Sequence, residues 1–125
     1  MVIRPIAHDD AAAVTRLCHQ LGYGPSQEQV VTHIGQLLQS PLDACFVGEE
    51  NGTVLAWIHV RAGITLTSAP RGEIVGLIVD QDARHRGLGR ALVRHVEAWA
   101  WEAGLQAMRV RSEISSWIMN TISCP

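Results

Sequence analysis

Apolar residues recur along this chain at two spacings, and each spacing predicts an element. Residues 2–6 read as a short strand, after which Ala13, Val14, Leu17, Cys18 and Leu21 repeat at the intervals of a helix. Asp9 or Asp10 can cap that helix, and Gly22 ends it. A second helix is predicted from the cap Ser26 through Val30, Val31, Ile34, Leu37 and Leu38, stopping near Ser40 because Pro41 cannot continue it. Residues 44–49 and 54–60 read as two strands joined at Asn51-Gly52, a dipeptide that accepts the positive φ angles of a tight hairpin. After a loop over 63–72, the run opened by Glu73 is apolar at nearly every position to Val79, as in a strand covered on both faces. The clearest helix spans 87–103, with Leu88, Leu92, Val96, Trp99 and Ala103 on one face and Gly104 as its stop. Residues 106–111 return to strand.

This order of elements predicts an α/β (α+β) fold with a mixed, mostly antiparallel twisted sheet and helices on both faces. The last strand-helix-strand step is a parallel crossover. A chain of 125 residues supports one hydrophobic core, so a single domain is expected over 1–125. The segment 112–125 is atypical, with no arginine and no clear periodicity. Its Ile114, Trp117, Ile118 and Ile122 offer apolar surface, so the tail is expected to be held by contacts on the domain or on a second copy in a homodimer.

Composition narrows the classes of function. Hydrophobic residues make up 47% of the chain and charged residues 18%, the balance of a soluble globular protein and not of a disordered one. No apolar run approaches the ~20 residues of a membrane span, and no basic segment followed by an apolar stretch opens the chain. The expected address is cytoplasmic, with no membrane partner. A net charge of −2 supplies no basic field for nucleic acid. Cys18, Cys45 and Cys124 are odd in number and far apart, so neither a disulfide framework nor a metal site is expected. All ten basic residues are arginine, which suits bidentate phosphate contact, although codon bias explains the absence of lysine equally well.

The strongest chemical signal is the run Arg84-His85-Arg86-Gly87-Leu88-Gly89-Arg90, set between the apolar strand and the best helix. Arginines at a helix N-terminus oppose the macrodipole by roughly 0.3–1 kcal/mol each, and a bound anion reverses that sign. Gly87 and Gly89 leave backbone amides open to a phosphate while the arginines neutralise its charge. A glycine-bearing loop with a solvated basic face is the plainer alternative, and the joint context of strand, arginines and helix start favours phosphate.

Arg84, Gly87 and Gly89 form the pattern R-x-x-G-x-G, which resembles the acyl-CoA motif of the GNAT superfamily of N-acetyltransferases. The likeness of element order extends over roughly 110 residues. The resemblance implies acetyl-CoA as co-substrate, an amine acceptor, and direct transfer in a ternary complex without metal. It implies that Arg84 to Arg90 cradle the pyrophosphate, that the backbone of Leu77, Ile78 and Val79 pairs with the pantetheine arm, and that Val79 N–H faces the developing oxyanion. His85 stands where relatives often carry glycine.

Glu73, at the head of a strand similar to the base-bearing strand of histone-acetyltransferase-like members, is the expected general base. The alternative for Glu73 is an exposed strand-end carboxylate. His59 lies on a strand where it either faces the acceptor or packs. Trp99 is expected in the core, unlike Trp101. Relatives place a tyrosine acid on a helix after the fifth strand, whereas the only tyrosine here is Tyr23. A truncation or frameshift after that strand is therefore expected, and the competing reading is a degenerate acyl-CoA-binding module with little turnover. Asp43, Glu49, Glu50 and Glu73 either suit a cationic amine or are scattered surface carboxylates.

Overall fold

The computed structural model describes residues 1–22 and 24–110. Tyr23, Arg111 and the tail over 112–125 lie outside the described residues. So do the expected tail contacts of Ile114, Trp117, Ile118 and Ile122, and the segment on which the expected truncation or frameshift falls.

Five strands form one sheet in the order β1 (Val2–Pro5), β2 (Asp43–Glu50), β3 (Thr53–Gly63), β4 (Arg71–Val79) and β5 (Ala107–Val110). Neighbours run antiparallel except β4 and β5, which pair in parallel. Three helices complete the fold: α1 (Ala11–His19), α2 (Gln27–Leu38) and α3 (Leu88–Glu102). Each end has a local cause. Ser26 caps α2 by accepting Gln29 N–H, and Gln29 Oε1 accepts Ser26 N–H in return. Asn51 and Gly52 take φ angles of 51° and 79° in the β2–β3 turn. A 3-10 turn, His8–Asp10, precedes α1, and the Asp10 carboxylate turns back to Ala7 N–H at 2.7 Å instead of capping forward.

The fourth strand begins two residues earlier than its hydrophobic run. Arg71 and Gly72 join it through backbone pairing with Gly63 and Ala62 on one side and with Ala107 and Met108 on the other. Side-chain polarity does not report such pairing. Gly72 also makes room for a neighbour, since a Cβ there would lie 2.6 Å from Met108 Sδ. The strand is only partly covered toward its start, unlike the doubly buried pattern expected of it.

Two apolar clusters lie on opposite faces of the sheet. On one, Leu88, Leu92 and Val96 of α3 meet Ile58, Val60 and Leu77, with Trp99 packed beside them as expected. On the other, Val14 and Leu17 of α1 and Val30 and Ile34 of α2 meet Val47 and Ile78. Leu17, Ile58 and Leu92 are wholly inaccessible, and burying such a side chain contributes about 1.5–3 kcal/mol. Trp101 is exposed. No helix among the described residues is long and apolar enough to cross a membrane.

Buried carboxylates tie the helices to the sheet. Asp10 takes a bidentate pair from Arg4 at 2.8 and 2.9 Å, and that pairing holds its carboxyl below the usual range against the opposing effect of burial. Asp80 is likewise lowered, by Arg16 at 2.7 Å and then by Asp82 N–H. Groups with a lowered folded pKa stabilise fully above their ordinary pKa, near 4, and lose that contribution as pH falls through the folded value. Stability is therefore expected to be flat near neutrality and to fall below about pH 4. Chemical denaturation of the wild type and of Asp10→Asn across that range checks this. The variant should be less stable at neutrality and lose less on acidification.

Candidate functional site

The loop between β4 and α3 is shaped by two left-handed residues. His85 has φ 68° and Gly87 φ 81°, so the chain doubles back twice within four residues before the helix starts at Leu88. The helix begins at Leu88, one residue later than the span expected from sequence, because Gly87 is left-handed and serves as the cap. No side chain caps this end, and the first helical hydrogen bond runs from Ala91 N–H to Gly87 O. The amides of Leu88 and Gly89 thus precede the helical ladder, at the positive end of a macrodipole fifteen residues long. Space over Gly87 is open, with no atom within 4 Å of a built Cβ. Such an opening with amides facing it fits a phosphate.

The arginines are placed differently from one another. Arg84 is half-buried and reaches back to Val79 O at 3.3 Å, tying the loop to the end of β4. Arg86 is exposed and grips both oxygens of Glu50, at 2.6 and 2.8 Å, which lowers the Glu50 pKa. Arg90 is half-buried in the first turn of α3. Leu88 faces the α3 core.

The sequence-predicted pantetheine segment occupies the end of β4. Leu77 and Val79 point into the α3 cluster and Ile78 into the α1/α2 cluster, so only their backbone is available for pairing. Pairing with β5 covers Arg71 to Ile74, and among the described residues none continues beside 75–79. A β-bulge accompanies this change. His59 pairs with Gly76 but Val60 pairs with Ile74, leaving Val75 as the extra residue. The bulge bends β4 where the described parallel pairing ends, and among the described residues the edge beyond it is one that an extended ligand can join.

On the α1/α2 face the same stretch of β4 floors a cavity of about 540 Å³, walled by the two helices and by Cys45, Trp57 and His59. Gly76 is required here. A Cβ at that position would lie 2.8 Å from the Trp57 ring, so the bare backbone lets the indole lie against β4. Trp57 Nε1 is buried with no hydrogen-bond partner meeting normal geometry among the described residues, and the Cys18 thiol, a weak acceptor, interacts with it.

Glu73 and His59 fare differently. Glu73 does not line this cavity; its carboxylate meets Arg109 across the β4–β5 pair at 2.7 Å. His59 lines the cavity, and its Nε2 meets Asp43 Oδ1 at 2.6 Å. Asp43 also accepts from Ser40 at 2.6 Å and Arg61 at 3.0 Å. Burial pushes the Asp43 carboxyl up, but the hydrogen bonds from Ser40, His59 and Arg61 together outweigh it and keep it ionised. With that carboxylate accepting, Nε2 carries the proton of the neutral ring and Nδ1 keeps the lone pair.

Both described thiols stay neutral. Burial pushes Cys45 up to about 12, helped by the charge of Asp43, and burial raises Cys18 against the opposing effect of Trp57. No group of His, Cys, Asp and Glu among the described residues is arranged to hold a metal.

The sequence pattern of the acetyltransferase (GNAT) family matches residues 11–116. The chain belongs to that family. Solved GNAT-fold structures superpose on it closely. An aminoglycoside 6'-N-acetyltransferase from Acinetobacter haemolyticus gives a TM-score of 0.82 at 17% identity, covering 100% of this chain and 91% of that one. A GNAT family acetyltransferase from Staphylococcus aureus gives 0.80 at 12%, covering 88% and 84%. The aminoglycoside N-acetyltransferase AAC(6')-Iy, solved in complex with CoA, gives 0.80 at 19%, covering 99% and 87%. No curated protein matches the chain. At these identities the likeness establishes the fold, and the five-strand sheet with three helices is the GNAT arrangement expected from the sequence.

Proposed function

We propose that this GNAT domain transfers the acetyl group of acetyl-CoA to a primary amine directly, in a ternary complex. The observation that carries the reading is the adjacency of three features along β4. They are the uncapped α3 N-terminus behind a left-handed loop, the edge of 75–79 away from β3, which no described residue pairs, and the cavity on the other side of the bulge. The first suits a pyrophosphate, the second an extended pantetheine arm, and the third an acceptor.

In the transfer, a bond forms between the amine nitrogen and the thioester carbonyl carbon, the carbon–sulfur bond breaks, and CoA leaves as its thiol. The amine must shed a proton to a base. His59, oriented by Asp43 at the cavity wall, is better placed than Glu73, which is held by Arg109 outside it. Neutral thiols at Cys18 and Cys45 argue against an acyl-cysteine route, because the thiolate is the nucleophile. CoA should raise the melting temperature, since a ligand selective for the folded state must stabilise it, and thiol should be released from acetyl-CoA only when an amine is present. Stabilisation without thiol release across amine classes would instead support a binding module, and the absence of both would overturn the reading.

A further inference from the structure

Resting on that acetyl-transfer reading, we infer that the acceptor is a monoamine carried on an apolar body, seated in the cavity between α1, α2 and the bulged strand, and not a polycation. The walls set the class. Among the described residues, the lining is built mainly of aliphatic side chains such as Val14, Leu21, Val30, Ile34, Leu37 and Ile78, and it includes no carboxylate and no guanidinium. Its volume, about 540 Å³, is that of a pocket for a small organic molecule.

The acidic residues that sequence alone offered to a cationic acceptor are already committed. Asp43 is bound by Arg61, Glu49 by Arg4, Glu50 by Arg86 and Glu73 by Arg109. A second or third ammonium group brought into this cavity would lose its water without gaining a counter-charge, which strongly disfavours binding. A single amine meets the opposite situation. Desolvation by apolar walls lowers its pKa and raises the share of the neutral, attacking form. His59 stands at the polar end of the cavity. The indole plane flattened against Gly76 favours a planar or slender body over a bulky one.

Thiol release from acetyl-CoA, measured with phenethylamine, hexylamine, spermidine and kanamycin at one pH, tests this. The expected result is that kcat/KM for the two apolar monoamines exceeds that for the two polycations by about tenfold or more, the scale on which hydrophobic pockets discriminate. Leu37 is half-buried on α2 at the cavity wall, and Leu37→Glu is expected to narrow that ratio by adding a carboxylate. Faster turnover of spermidine or kanamycin by the wild type would overturn the acceptor class and leave acetyl transfer standing. An unchanged ratio in a Leu37→Glu protein of normal melting temperature would show that the acceptor sits elsewhere. No thiol release with any amine, while CoA still stabilises the protein, would overturn the transfer reading and this inference with it.

Discussion

Replacing Gly89 by valine is expected to erase the stabilisation that CoA gives this domain. Gly89 is buried in the first turn of α3, two residues past the left-handed Gly87, and its amide precedes the helical ladder. A branched side chain there intrudes on the space a pyrophosphate must enter to reach those amides. Because Gly89 is buried, the larger side chain is also expected to lower the melting temperature of the unliganded protein through about 1–3 kcal/mol of overpacking, so the quantity to read is the shift that CoA adds to a variant that still unfolds cooperatively. Ligand at 100 times its Kd adds about 2.7 kcal/mol of stability, so the lost shift is large enough to read from thermal melts. Gly87→Ala is expected to weaken the CoA shift as well, because its methyl group enters the open space over the loop, and to lower the melting temperature through about 1–2 kcal/mol of strain at φ 81°. A folded Gly89→Val protein that binds CoA normally would remove the phosphate cradle from the model of function.

His59→Gln is expected to reduce turnover at neutral pH by about 100-fold or more, the usual scale of acid–base catalysis, with CoA affinity unchanged. Raising the pH should recover part of the loss, because more amine arrives already deprotonated. The charged and titratable groups around the ring are Asp43 and Arg61 on the sheet, Cys45 beside them, and His33 on α2. Glu73→Gln releases Arg109 and is expected to cost less than tenfold, since an exposed ion pair is typically worth no more than about 1 kcal/mol. A larger loss in Glu73→Gln than in His59→Gln would return the base to Glu73.

The sequence made the elements and the phosphate loop legible because their signals are local. Ser26, Asn51-Gly52, the helical stripe of α3 and the R-x-x-G-x-G spacing each act within a few residues. The acceptor side depends on register, which has no local mark. Continuing the hairpin evenly from the Glu50–Thr53 pair would set Asp43 opposite Val60. The bulge at Gly48–Glu49 shifts every pairing by one, sets Asp43 opposite Arg61, and turns its carboxylate to the face that carries His59. Gly48, an isolated glycine within a strand, is a weak sign of a bulge, but it gives neither the presence nor the direction of the shift. The bulge at Val75 was hidden for the same reason, and with it the point where β4 parts from the described β5 pairing. Glu73 stood out in sequence as the acid at the head of an apolar run, but its partner, Arg109, lies 36 positions away.

The two apolar clusters lie on opposite faces of the sheet, with α3 on one side and α1 and α2 on the other. On the proposed reading, changes on the second side reshape the acceptor walls from the face opposite the packing that sets the α3 N-terminus. Over evolutionary time, choice of amine can therefore drift while the cofactor grip stays fixed, a division of labour that lets chains 12–19% identical keep one backbone.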